Sequence, residues 1–233
     1  MADQKTRLRP ATPERDEGLV FARYLDQAAE GFFGFMLGRQ AASIIADAFA
    51  EPGHSLSCEH VVFAERDGVI VGMSLAYTGE QHREFSDEPL ERAAGRAVRR
   101  MKMVRLLLAP LWRILETVPE GDFYLQAIAV DPELRGAGLG SLLLEDAVER
   151  GTRNGSARLT LDVAARNNGA RRLYARRGFA ESSEWPSPRF VPTVFVRMTR
   201  TLQSVGDKAP FTARLGFPPS STPRPSRKLR EPR

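Results

Sequence analysis

Apolar positions along the chain follow two patterns, one of helical period and one of strand length. After a short strand over Lys5 to Ala11, Thr12 followed by Pro13 and Glu14 reads as a helix start with Pro at the first helical position. Leu19, Val20 and Tyr24 recur at helical intervals over Glu14 to Glu30. Leu37, Ala41, Ile44, Ile45, Ala48 and Phe49 do so over Phe35 to Ala50, with Gly31 and Gly34 as punctuation and Pro52 and Gly53 as the stop. His60 to Glu65 and Val69 to Thr78 then read as strands joined at Asp67 and Gly68, a hairpin signal. From Gly79 to Gly121 the pattern is helical again. Leu90, Ala93, Ala94, Ala97, Val98 and Met101 share a face, Leu107, Leu111, Ile114 and Leu115 continue it, and Pro110 should kink or split it.

The most informative stretch runs from Gly121 to Phe179. Phe123 to Val130, FYLQAIAV, is an apolar run of strand length. Past DPELRGAGLG, Leu139, Leu142, Leu143, Ala147 and Val148 recur at helical spacing opposite mostly polar residues, which predicts an amphipathic helix. Ala157 to Val163 is a second strand and Asn167 to Phe179 a second helix ending at Gly178. Glu181 to Trp185 and Pro188 to Thr199 can form two last strands, Pro192 pointing to an edge or a bulge.

Gly136, Gly138 and Gly140 place a glycine at every second position between strand and helix. The backbone can turn sharply there, no Cβ blocks a ligand, and free N–H groups face outward. With Arg135 alongside and the positive end of a helix dipole behind, the turn suits a phosphate or pyrophosphate; a glycine turn that binds nothing is the plain alternative. The Walker pattern fails because no Lys-Ser/Thr pair follows these glycines. A dinucleotide GxGxxG would need Gly where Ser141 stands, and DPELR separates the glycines from the strand.

Taken together, the strand, the VDPELRGAGLG turn, the helix, the next strand and the pattern Asn167, Ala170, Leu173, Tyr174, Gly178, Phe179 resemble the GCN5-related N-acetyltransferase (GNAT) superfamily. The resemblance is strongest over residues 121–179 and extends weakly, through strand order, to about Arg200. It implies an α/β (α+β) fold in which a mixed, splayed central sheet of about seven strands is flanked by helices. The family commonly passes from the third strand to the fourth by a short turn, so residues 79–121 are a helical insert. Loops at that end of the sheet face the acyl acceptor in the family, and the insert is expected either to cover the acceptor site or to serve as a pad or dimer surface.

Composition narrows the setting. At 233 residues and 42% apolar content the chain can bury a core, and one acyltransferase-like domain over residues 1–202 with a tail over 203–233 fits best. Of 34 basic and 29 acidic residues, seven and two fall in that tail, so residues 1–202 hold 27 of each sign and the net charge of +5 belongs to the tail. Nucleic acid is therefore expected only through weak contacts of the basic tail. Six prolines and few aliphatics predict that the tail is disordered from about Gly206. The single Cys58 excludes an internal disulfide, and neither a spanning run nor a signal-peptide core is visible, which points to a cytoplasmic protein without membrane contact. His54, Cys58 and His60 form no recognised metal spacing, so no metal is expected.

What the resemblance implies for the site can be written residue by residue. Backbone N–H groups of Arg135, Gly136, Ala137, Gly138, Leu139, Gly140 and Ser141 would hold the pyrophosphate of acetyl-CoA, the cosubstrate. The pantetheine arm would run along Ile128, Ala129 and Val130 of the fourth strand, with Asn167 touching it or capping its own helix. A strand N–H near Ile128 could stabilise the oxyanion, and Tyr174 matches the family's tyrosine near the coenzyme sulfur, where its phenol is expected to donate a proton to the departing thiolate, or else to be a core residue. Tyr124 and Gln126 share a face of that strand but are not carboxylates. Glu80 and His82, where the third strand ends, are the candidates for accepting the amine proton. The expected activity is transfer of an acetyl group from acetyl-CoA to a primary amine on a small molecule or peptide, by direct attack on the thioester. The alternative is a non-catalytic acyl-CoA-binding or regulatory module.

Overall fold

Among the residues described in this computed structural model, 6–109, 117–186 and 192–202, seven strands form one sheet. They are β1 (Arg7–Pro10), β2 (Val61–Arg66), β3 (Val69–Thr78), β4 (Asp122–Val130), β5 (Arg158–Ala164), β6 (Ala180–Trp185) and β7 (Phe195–Thr201), in the order β1-β2-β3-β4-β5-β7-β6. Every neighbouring pair is antiparallel except β4 and β5. Asp67 and Gly68 both take positive φ, 52° and 76°, as a tight turn matching the twist of β2 and β3 requires.

Helices cover both faces. On one, α1 (Arg15–Ala28), α2 (Phe32–Leu37) and α3 (Ala41–Phe49) bury Phe21, Leu25, Ile45 and Phe49 against Phe63, Met73, Leu75 and Ala129 of the sheet. α1 and α3 approach so closely that a Cβ on Gly18 would lie 2.8 Å from the Ala46 Cα, which is why a glycine stands there. On the other face, α7 (Leu139–Arg153) and α8 (Asn168–Arg176) pack Leu144, Ala147 and Tyr174 against Phe123, Leu125 and Leu161. Between β3 and β4 the insert forms α4 (Gly79–Glu84), α5 (Glu88–Ala94) and α6 (Val98–Leu107). α4 opens on a capping box in which Thr78 and Gln81 satisfy each other's backbone N–H groups. Leu90, Ala94, Met101 and Val104 join the α1–α3 core, so the insert is an extension of that layer.

Several boundaries differ from those read off the periodicity. α1 begins at Arg15 with Glu14 as its N-cap, and Thr12 donates its N–H to Glu17 instead of capping. The helix expected over Phe35 to Ala50 is two helices, because Gly38 leaves helical geometry at φ 80° and a 3-10 turn follows; Gly34 lies inside α2. Leu142 is exposed while Leu144 is fully buried. Leu107 is 71% exposed and does not continue the insert's buried face. β7 starts at Phe195, after Pro192, and lies inside the sheet between β5 and β6 instead of at an edge. The expected kink at Pro110, the helical positions Leu111, Ile114 and Leu115, and the tail beyond Leu202 lie outside the described residues.

Candidate functional site

The sheet divides at β4. β4 and β5 pair only from Asp122↔Arg158 to Leu125↔Leu161; beyond Leu161 β5 continues with β7, and beyond Leu125 β4 continues with β3. At that point the β3–β4 register shifts, Leu75 facing Ala127 and Ala76 facing Leu125, so Gln126 is an extra residue in a bulge. Ile128, Ala129 and Val130 remain bonded to β3 on one edge and, among the described residues, carry no strand on the other. Such an edge offers N–H and C=O groups to an extended amide chain. Gln27 of α1 donates its Nε2–H to the Val130 carbonyl at 3.0 Å, fixing the end of the strand.

The glycine turn follows directly. Asp131 accepts from the Glu133 N–H, a short 3-10 turn over Pro132–Leu134 leads on, and Gly136 and Gly138 take φ of 82° and 85°. A Cβ at either would meet nothing within 4 Å, so glycine is needed for the left-handed backbone and the side facing outward is open. The N–H groups of Gly136, Gly138, Leu139, Gly140 and Ser141 have no hydrogen-bond partner among the described residues, and α7 has no side-chain cap. Ala137 spends its N–H on the Leu134 carbonyl at 3.3 Å. Arg135 is exposed and makes no ion pair among the described residues. Amides without a partner among the described residues at the start of a helix, beside an exposed guanidinium, suit a diphosphate.

Tyr174 lies beside the division, in the same apolar cluster as Leu125 and Leu161, while Leu173 closes over Gly140. Its ring is buried, and its hydroxyl is not among the buried side-chain atoms left without a hydrogen bond. Burial pushes its pKa up to about 12, so it holds its proton throughout the neutral range. Asn167 caps α8, its Oδ1 accepting from the Ala170 N–H at 3.0 Å.

On the α1 side of the same strands sits a buried polar network whose acid and base were not expected from the sequence. Tyr124 donates its hydroxyl to Asp162 at 2.9 Å, and Arg197 grips both oxygens of Asp162 at 2.9 and 2.8 Å. The Arg197 Nη1 reaches the carbonyl of Thr117, tying the return of the insert to the sheet. Asp162 and Arg197 are register partners across β5 and β7. The available signal was a charged residue in the middle of each apolar strand. Tyr77 lies 5.8 Å from Tyr124, ring to ring, and stacks on His82 at 5.6 Å. Glu80 accepts the Gly121 N–H at 3.2 Å, and backbone hydrogen bonds lower its pKa. Among the described residues no group of three or more His, Cys, Asp or Glu is placed to hold a metal ion.

These tyrosines set the alkaline limit of the fold. The unfolded chain ionises a phenol near 10, whereas Tyr174 stays protonated to about 12, and Tyr77 and Tyr124 are also raised by burial. Stability is therefore unaffected by these groups below pH 10 and is lost as pH rises from 10 to 12, where the unfolded state releases protons that the native state retains. Tyr174 alone accounts for roughly 2–3 kcal/mol. Urea midpoints at pH 8 and pH 11 check this; equal midpoints would contradict it.

Comparison with known proteins agrees with this geometry. Residues 23–179 match the family model of the acetyltransferase (GNAT) family. Among solved structures, the chain is similar to an acetyltransferase at 23% identity and TM-score 0.62, covering 84% of this chain and 100% of that one. It is similar to an N-acetyltransferase from Staphylococcus aureus Mu50 at 14% identity and TM-score 0.59, covering 83% and 99%. An acetyltransferase of the GNAT family from Streptococcus pneumoniae aligns at 20% identity and TM-score 0.50, covering 85% and 100%. Among curated proteins, none matches by sequence. A divided seven-stranded sheet, an amide-lined glycine turn and a family model spanning more than half the residues lead to one assignment: the chain belongs to the acetyltransferase (GNAT) family.

Proposed function

We propose that this protein is an acyl-CoA-dependent N-acetyltransferase, cytoplasmic, which moves an acetyl group from acetyl-CoA to a primary amine. The observation that carries this reading is the continuity of the open β4 edge, from the Gln126 bulge through Val130, with the amides of Gly136 and of Gly138 to Ser141, which have no partner among the described residues. A diphosphate on those amides directs an extended amide arm along Ile128, Ala129 and Val130 toward the point where the sheet divides. Among the described residues no helix is long and apolar enough to cross a membrane.

The acceptor nitrogen attacks the thioester carbonyl as the free amine, and no protein nucleophile takes part. The β4 backbone at the bulge offers an N–H to the developing oxyanion. Tyr174, with its pKa near 12, is a weaker acid than an ordinary thiol near 8.5; its part is to hold a hydrogen bond to the departing sulfur as charge grows there. Of the two candidates for the amine proton, Glu80 is engaged by the Gly121 N–H and held low, which makes its carboxylate a poor base. His82, stacked on Tyr77, is the better one.

Calorimetry with acetyl-CoA and free-thiol release over a panel of amines test the proposal together. Binding with amine-dependent thiol supports it; binding without it would make the chain an acyl-CoA-binding module, and no heat at all would remove both. The insert covers the acceptor side in this reading. Replacing residues 80–119 by a short turn should change acceptor preference or abolish turnover, and unchanged kinetics would show the insert to be a structural pad or dimer surface.

A further inference from the structure

A cavity lies away from the glycine turn, between the insert and the start of β2. It measures about 170 Å3 and is lined by Gly53, Glu59, His60, Gln81, Glu84 and Phe85. Aromatic rings and carboxylates share its wall. The His60 ring is 5.0 Å from Phe85 and 5.8 Å from Tyr77, and Tyr77 lies 4.9 Å edge-on to Phe85. His60 is only 6% exposed, yet its Nε2 is buried without a hydrogen-bond partner among the described residues. A buried ring nitrogen is costly to leave unmatched, and native sites normally supply a partner. Burial also lowers the His60 pKa, so the ring is neutral and Nε2 can accept a proton donor.

The carboxylates are lightly committed. Among the described residues the Glu59 carboxylate accepts two long contacts, at 3.4 Å each, from the Gly53 N–H and the Ser57 hydroxyl. Glu84 makes no ion pair or side-chain hydrogen bond among the described residues. Two carboxylates repel an anion and penalise an apolar guest, while aromatic faces and carboxylates both attract an organic cation. A donor N–H on that cation would also answer the orphaned His60 nitrogen. The cavity communicates with the chemistry through a row of rings. Phe85 and His60 contact Tyr77 of β3, Tyr77 stacks on His82 of α4, and Tyr77 also meets Tyr124, two residues before the bulge.

We propose that this cavity binds a second, non-reacting ammonium group of the acceptor, so that the enzyme favours diamines or other amines carrying a distant cation over simple monoamines. The inference deepens the acetyl-transfer reading and rests on it for the acceptor's role, whereas the cavity's affinity for a cation can be measured apart from any turnover.

The test uses the full chain and two probes, 1,5-diaminopentane and n-pentylamine. In the first arm, without coenzyme, proton NMR follows the His60 imidazole, assigned by its loss in His60→Gln. Diaminopentane should shift it saturably in the wild type and at least about tenfold more weakly in Glu84→Gln and Phe85→Leu. No saturable shift, or a shift that both variants retain at wild-type affinity, would overturn the subsite. In the second arm, thiol release from acetyl-CoA should give a kcat/KM at least about tenfold higher for the diamine than for pentylamine, a ratio falling toward one in the two variants. Retained heat of acetyl-CoA binding confirms that each variant is folded. A shift in the first arm with a ratio of one in the wild type would leave a cation site that does not serve the acceptor and would overturn the proposal. Absence of thiol with every amine would overturn the transfer reading, and the acceptor's role with it.

Discussion

Arg197→Met is expected to destabilise the fold by about 3–5 kcal/mol, the cost of leaving a buried carboxylate without its cation. The side chains of Asp162 and Arg197 are 1% and 10% exposed, and the pair is bidentate. Removing the guanidinium leaves Asp162 with the Tyr124 hydroxyl as its side-chain partner among the described residues and takes away the Arg197 bond to the Thr117 carbonyl at the end of the insert. At a few degrees per kcal/mol for a domain of this size, Tm should fall by about 10 °C. Arg15→Met is the contrast. Its partner Asp47 sits at the surface, both side chains are about half exposed, and the loss should stay below about 1 kcal/mol. Adding Asp162→Val and Tyr124→Phe to Arg197→Met removes the stranded polar groups and should recover much of the loss. A single variant melting within 2 °C of the wild type, by calorimetric scan, would show that the pair is not a buried charge network.

Tyr174→Phe should lower kcat by about a hundredfold while changing the Kd of acetyl-CoA little. Phenylalanine fills the same space among Leu125, Leu161 and Phe179, so packing survives and only the hydroxyl goes. What is lost is a donor that stays protonated to about pH 12, and whose hydrogen bond strengthens as the sulfur gains charge. A transition-state effect of this kind appears in kcat and in kcat/KM alike, whereas a loss of packing would raise Kd and lower Tm. Steady-state kinetics with calorimetry separate the two, and a variant of normal kcat would take Tyr174 out of the mechanism.

The elements that carry the site were legible because each is local. β3 is found over the ten residues from Val69 to Thr78 that follow the hairpin signal at Asp67 and Gly68, and the DPELRGAGLG turn joins strand to helix as its glycines require. What escaped depends on contacts between distant segments. On α7 the buried side includes Gly151 as well as Leu144, because the helix lies close enough to β4 that a Cβ on Gly151 would meet Phe123 at 3.0 Å; a hydrophobic pattern cannot count a glycine as a contact, and so Leu142 looked inward. The bulge at Gln126 is a backbone event in a run of ordinary strand formers. Asp162 and Arg197 stand far apart in sequence and meet only because β7 inserts between β5 and β6. The break at Gly38 was hidden by apolar periodicity that runs on through it.

The four-residue pairing of β4 with β5 also bears on cohesion. Strands β1 to β4 and strands β5 to β7 are joined across the middle of the sheet by that short seam, with α7 spanning β3, β4 and β5 beneath it. A molecule lying in the gap would act as a missing strand, knitting the two lobes by main-chain bonds that the polypeptide itself does not make. Its occupancy would then be felt as mechanical stiffness far from the reacting atoms, and the melting temperature would climb with the logarithm of its concentration.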